Sequence, residues 1–406
     1  MAIAKEVNKL LTIYKQTGLG VPRSGSGGQA LRRETSSGKL TIASYENNEI
    51  ATHQQSTGVT MGGRSATFTL NGLLSGNTYS NIFASLLRGT FSATAAITGA
   101  SITITMPGGV PTLTDAAQTW LTKGIKIGDV IRITAGTYAN AVNRDNNLLV
   151  LSVTETVITG STLNGSVMIA EGPIAASTVT VTGKKLAAPI TAQTSDYYTV
   201  EEYQSDIAKS ELFTDVVFGS VNISIPASGN TTVAFDAVAL DRSSSGAQVL
   251  TTPTAETTTA VVQGIKGAII IQGTTIGYVT GASIKIDGTV AALDPVLGSN
   301  VGPDVSRGIL KVSGQITAFY QDAILSGYFN AGTNISIAIV DAVDETNASE
   351  FVSFVMSKVK LTGDDKDTGA DGIVRTYPFT AEINGAGGTA LANAKTIITI
   401  QDSLAA

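Results

Sequence analysis

A strand–turn–helix pattern occurs twice in this chain, and a recurring pattern restricts the fold more than any single motif does. The first occurrence, TFTLNGLLSGNTYSNIFASLL (67–87), alternates like a β-strand and turns at Gly72 and Gly76. It closes with Tyr79, Ile82, Phe83, Leu86 and Leu87 on one helical face. The second, GILKVSGQITAFYQDAILSGYF (308–329), places Tyr320, Ile324 and Tyr328 at the intervals of Tyr79, Phe83 and Leu87. These six side chains are the candidate packing faces of two equivalent helices. The order of elements matches on either side: KLTI (39–42) with SIKI (283–286), VFGSVNI (217–223) with VMSKVKL (355–361), and TTVAFDAVAL (231–240) with RTYPFTAEIN (375–384). Arg64 precedes SATFTLNG as Arg307 precedes GILKVSG. The pattern predicts a tandem duplication of one β-module with a flanking helix.

Composition supports a mostly β chain. Among 406 residues, 43% are apolar and only 14% charged, and Thr, Ser, Gly, Val and Ile carry the sequence. The net charge of −6 and the lack of a Lys/Arg block argue against a tight grip on nucleic acid phosphates. Cysteine is absent, which excludes disulfides and thiolate metal sites. The opening MAIAKEVNKLLTIYKQTG lacks a long apolar core, and no apolar run reaches the roughly 18 residues of a membrane span, so neither a signal peptide nor a membrane span is expected.

Organisation follows from where the style changes. Residues 1–37 read as an N-terminal arm, and the Gly/Ser/Arg-rich stretch 17–39, which overlaps its end, needs a partner to order it. Module 1 is expected at 38–90 and 191–240, interrupted by a small β-barrel or sandwich at 91–190. A linker follows at 241–262 and module 2 at 263–406. Within the insert, DAAQTWLTKG predicts a short helix capped by Asp115 and carrying Trp120 as a core residue. IGDVIRI, NLLVLSV, GSVMIA and STVTVTG predict strands.

Catalytic chemistry has little to stand on. His53 is the single histidine, in a polar loop with no G-x-S-x-G elbow. SGSGG lacks the G-K-[ST] ending of a phosphate loop. DDKDTGAD (364–371) has calcium-loop carboxylate spacing but Arg375 where the bidentate glutamate belongs, and reads as a hairpin tip. Glu201 and Glu202 are adjacent, so a strand sends them to opposite faces. No enzyme, cofactor or metal site is expected.

The arm YKQTGLGVPRSGSGGQALRR, the following SYENNEIATHQQ, GRSATFTLNGLLSGNTYSNIFASLLRG and EEYQSDIAKSELFTDVVFGSVNISIP resemble the major tail tube protein of long, non-contractile-tailed (siphovirus-type) bacteriophages. That resemblance covers nearly the whole chain. It implies tail-tube-type β-sandwich modules and a virion protein assembled in the host bacterial cytoplasm. Its rings would be trimeric and pseudo-hexameric, stacked around a lumen that passes DNA without binding it tightly. Tape measure, tail terminator and baseplate or distal tail proteins are the implied partners, and the insert the implied outward decoration. Glu46 and Glu49 in the first copy and Asp287 and Asp294 in the second are candidate lumen-lining acids, with ordinary surface charge the alternative. A β-rich surface-binding module, such as an adhesin or receptor-binding tail protein, is the competing function, and a polysaccharide-active enzyme the weaker one.

Overall fold

Alternation of Val, Ile and Phe with Thr, Ser and Asn makes each strand of this chain apolar on one face only, so strands must pair into sheets that bury that face. The computed structural model describes residues 3–50, 52, 55–56, 58–163, 165–369 and 372–405 and shows a mostly β chain. Six long strands and a helix make the first repeat: β1 (Lys9–Lys15), β2 (Thr35–Glu46), β3 (Val59–Leu73), α1 (Ser80–Leu86), β4 (Tyr198–Gln204), β5 (Lys209–Pro226) and β6 (Thr232–Ala239). Six strands and a helix also make the second: β7 (Gln263–Ile271), β8 (Val279–Asp287), β9 (Lys311–Phe319), α2 (Ile324–Ala331), β10 (Ile335–Ala342), β11 (Phe351–Leu361) and β12 (Gly372–Ala381).

The antiparallel pairing order is the same in both. In the first repeat it is β1-β4-β5-β6-β3-β2. In the second it is β7-β10-β11-β12-β9-β8. Each strand of the first copy thus has its counterpart six strands later, and the duplication is a property of the topology as well as of the sequence.

Between α1 and β4 the chain leaves to build a closed six-stranded barrel from Ile97–Thr105, Thr112–Thr114, Val130–Ala135, Leu148–Val153, Val157–Thr162 and Glu171–Val181. Trp120 is fully buried in its core with Ile102, Leu113 and Ile158. The segment carrying Trp120 is a run of turns, where a helix was expected. The Trp120 amide donates to the Glu155 carbonyl, and the Asp115 carboxylate accepts from the amides of Ser101 and Ala117, so the barrel takes backbone and cap groups that a helix would need. GSVMIA is likewise not a strand. The Asn143 side chain bonds both the amide and the carbonyl of Ile169 there, replacing a ladder partner.

The barrel docks on the second repeat. Val130 and Leu149 pack with Ile270, Val340 and Phe351. The Gln401 amide, on a C-terminal strand Thr399–Asp402 paired with β11, accepts from Val130 N–H and donates to the carbonyls of Val130 and Thr182.

The arm and linker order each other. Gly25–Ser26 pairs in parallel with Leu250–Thr251, and Gln29–Ala30 pairs with β1. The partner expected for the Gly/Ser-rich arm therefore lies within the same chain.

Candidate assembly surface

Strand β5 is long enough to serve two neighbours on one edge. Its first half pairs with β4 as far as Val216, and beyond that point its freed edge pairs with β8 of the second repeat, from Ser220 opposite Asp287 to Pro226 opposite Gly281. The two repeats thereby share one sheet of eight strands, β2-β3-β6-β5-β8-β9-β12-β11. One row of directly opposed residues runs Ser36, Leu70, Phe235, Val221, Ile286, Val312, Ala381, Val359, and every member is buried. The adjacent row, on the other face, runs Thr35, Asn71, Ala234, Asn222, Lys285, Ser313, Thr380, Lys360, and none of these is buried. Period-two alternation held in register across two modules gives a continuous polar wall over a continuous apolar one.

The sheet ends on strands with unmet edges. Among the described residues β2 pairs with β3 alone, and residues 41–50 are all exposed. At the far end, β10 covers one edge of β11 only as far as Val359. An edge of this kind is a template for a further strand. Ile42, Tyr45, Val59 and Met61 stand exposed along the β2–β3 hairpin, which touches the second repeat where the Arg64 amide donates to the Asn300 carbonyl at 2.7 Å.

Of the four candidate acids, Asp287 lies on the polar wall, between Ser220 and Lys311 and 4.0 Å from the Lys285 ammonium. Glu46 ends β2, and Glu49 and Asp294 lie on exposed loops. The four stand on different elements. The wall instead carries Lys39, Lys285, Lys311, Lys358 and Lys360 beside Asp236 and Asp287, among Ser, Thr and Asn. Lys358 is paired with Glu382 at 2.7 Å. Its character is hydroxyl- and amide-rich rather than acidic.

The candidate helix residues fall in two different environments. Tyr79, Phe83 and Leu87 are buried; Phe83 meets Phe235 and, across the repeat boundary, Phe354, with centroids 5.4 and 6.3 Å away. Burial pushes the Tyr79 hydroxyl up to about 12 while it donates to the Arg32 carbonyl. In the second repeat Tyr320 and Ile324 are exposed and Tyr328 is half-buried, the inward positions being taken by Leu325 and Ser326. The equal spacing does not give equal positions: Tyr320 precedes α2, and only Ile324 and Tyr328 of that set lie on the helix.

Three acids on β4 and β10 are buried, and of them only Asp341 is not among the residues singled out in the sequence. Glu201 and Glu202 part to opposite faces of β4. The Glu201 carboxylate accepts from the amides of Val249 and Leu250, both at 2.6 Å, and from the Ser210 hydroxyl. Glu202 meets the Lys9 ammonium at 3.0 Å. Asp341, fully buried on β10, accepts from the Thr231 hydroxyl of the first repeat at 2.9 Å, and its other oxygen has no partner. Burial raises its carboxyl to about 7. A polar residue on the apolar face of a Val/Ile-rich strand, as in ISIAIVDA, was the signal available for it.

His53 lies outside the described residues. The acidic run forms the hairpin Asp365–Gly369 with β12, and the Asp364 carboxylate pairs with Arg375; Ala370 and Asp371 lie outside the described residues. Among the described residues no group of three or more His, Cys, Asp or Glu could hold a metal ion. Compared with known proteins, residues 8–381 match a family described as phage tail tube protein. No curated protein matches.

Proposed function

The chain belongs to the phage tail tube protein family, a family of structural virion proteins rather than enzymes, and on that premise we propose that it polymerises into stacked rings forming the conduit of a siphovirus-type tail. Each ring has three chains and six β-modules. The observation that supports this most is the β5–β8 seam, by which one chain already joins two equivalent modules into one sheet. A contact that joins repeat to repeat in cis can be made between copies, and a head-to-tail contact that closes gives a ring. The free edge of β2 and the uncovered end of β11 are the two strand ends left for it.

The polar wall is assigned to the lumen. Closure of eight-strand sheets into a barrel removes the open edges and leaves one face inside. Hydroxyls, amides and lysines partly matched by Asp287 and Glu382 offer DNA no dense cationic track during ejection. Glu46 and Glu49, at the exposed end of the β2–β3 hairpin, would add acidity at its rim. The barrel at 97–181 is assigned to the outside as a decoration, and the two repeats, β1–β6 and β7–β12, as the tube modules, the first of which takes in residues 9–15 and 35–37 of the expected arm. Tape measure, terminator and baseplate or distal tail proteins meet such a tube at its inside and ends, in assembly in the host cytoplasm.

Negative-stain images of the purified protein test the reading. Stacked rings or tubes are expected, and compact particles at every concentration would contradict it.

A further inference from the structure

The segment that leads into the first strand of each repeat differs in what it touches. Ahead of β7, residues 257–262 lie along the turn from β3 into α1. The Val262 amide donates to the Leu74 carbonyl at 3.0 Å, Val261 bridges Ser75, and the Thr259 hydroxyl donates to the Gly76 carbonyl at 2.8 Å. Val262 and Leu74 are buried as a result. The linker is thus the lid over the entry to α1.

In the second repeat Tyr320 occupies the place of Leu74. Leu73 is opposite Thr232 and the Leu74 amide donates to Thr231; Phe319 is opposite Val374 and the Tyr320 amide donates to Ile373. Among the described residues no segment covers this turn. Tyr320, Ile324 and Ile373 are 40, 49 and 40% exposed at this turn, with the Arg375 guanidinium 4.2 Å from the Tyr320 ring centroid, whereas Phe319 continues the polar row of β9 on the other face of the sheet. Only two of the eight residues of α2 are buried, against five of seven in α1.

The counterpart of the lid is the segment ahead of β1, the topological equivalent of β7. Its polar atoms face its own chain: the Lys5 amide and the Asn8 side chain donate to Asp206. Its apolar side chains do not, with Ile3 85% and Val7 87% exposed. One repeat therefore has an uncovered apolar turn and the other an unused apolar lid, at positions joined in cis at the middle of the chain.

We infer that residues 3–8 of a second copy of this chain lie across the Tyr320–Ile324 turn, Ile3 and Val7 packing on Tyr320, Ile324 and Ile373. This rests on the ring assembly proposed above and names a seam by which one chain follows the next. Such burial adds a non-directional apolar contact to the strand-edge pairing.

The chain has no cysteine, so disulfide trapping reads this contact without background. Val7→Cys is combined with Tyr320→Cys or with Ile324→Cys, the protein is allowed to assemble, and it is oxidised and run under denaturing, non-reducing conditions. Covalent dimers and trimers are expected from at least one double variant, and none beyond dimers from the single ones. Rings or tubes that yield only intrachain cross-links, or none, overturn the seam and leave the assembly standing. Failure of the unmodified protein to form rings overturns the assembly reading and this one with it. Ile324→Asp, at an exposed position, is expected to keep the thermal unfolding of the parent while raising the concentration needed for assembly at least ~10-fold; unchanged assembly contradicts the seam.

Discussion

Asn222 of β5 stands directly opposite Lys285 of β8, in the middle of the seam where the first repeat hands its strand edge to the second. The flanking pairs, Val221 with Ile286 and Ile223 with Ile284, are buried beneath them. The seam is core, not surface contact. Ile284→Ala should therefore cost about 2–5 kcal/mol, the range for truncating a fully buried Ile, measured by urea denaturation. Loss of less than about 1 kcal/mol would mean that the repeats are only loosely joined.

Asp341 makes the junction of the repeats pH-sensitive. Its carboxyl is raised to about 7 by burial, against roughly 3.9 in an unfolded chain. The folded state thus holds the proton more tightly. The stability this contributes is complete below about pH 4 and is lost as pH rises through about 7. Asp341→Asn removes the charge while keeping an acceptor for Thr231. Its advantage over the parent should grow between pH 4 and 8 to the order of 2–4 kcal/mol, read from denaturation midpoints at each pH. A gap that stays constant over that range would reject the assignment.

Glu201 should hold the linker. Its carboxylate serves the amides of Val249 and Leu250, next to the Leu250–Thr251 strand that orders Gly25–Ser26. Glu201→Ala leaves the buried Leu250 amide and the half-buried Val249 amide without an acceptor, a loss of about 1–3 kcal/mol for the first and less for the second. Limited proteolysis should show new cleavage near residues 246–254 and 20–28. An unaltered digestion pattern would show that the arm and linker hold each other without Glu201.

Gly38 admits Phe213. A Cβ added at Gly38 would lie 2.0 Å from the Phe213 Cζ, and Phe213 is fully buried. Gly38→Ala should destabilise by roughly 1–3 kcal/mol through overpacking, while Gly38→Ala with Phe213→Leu should recover part of that loss. Additive losses in the double variant would exclude a steric cause.

The repeat was legible because local alternation writes itself into sequence: ATFTLNG and VFGSVNI each state which face is buried. Registers between distant strands were not. Nothing near Asn222 in the chain announces Lys285, and it is this register that puts Asp287 on the polar wall while Glu49 and Asp294 stand on loops. Tyr320 and Ile324 keep the sequence spacing of Tyr79 and Phe83, but the strand register makes Tyr320 the counterpart of Leu74, ahead of α2, and spacing alone carries no register. Local propensity also misled at Trp120, where long-range bonds to Glu155 and Ser101 displace a helix.

The central claim is that the two repeats in each chain occupy equivalent places in a ring. Electron cryomicroscopy of assembled tubes tests it most directly. The account predicts rings of three chains whose inner wall repeats six times, with β5–β8 and the contact between chains alternating around it. Rings of six chains with one repeat of each facing outward, or a protein that stays as discrete particles, would contradict it.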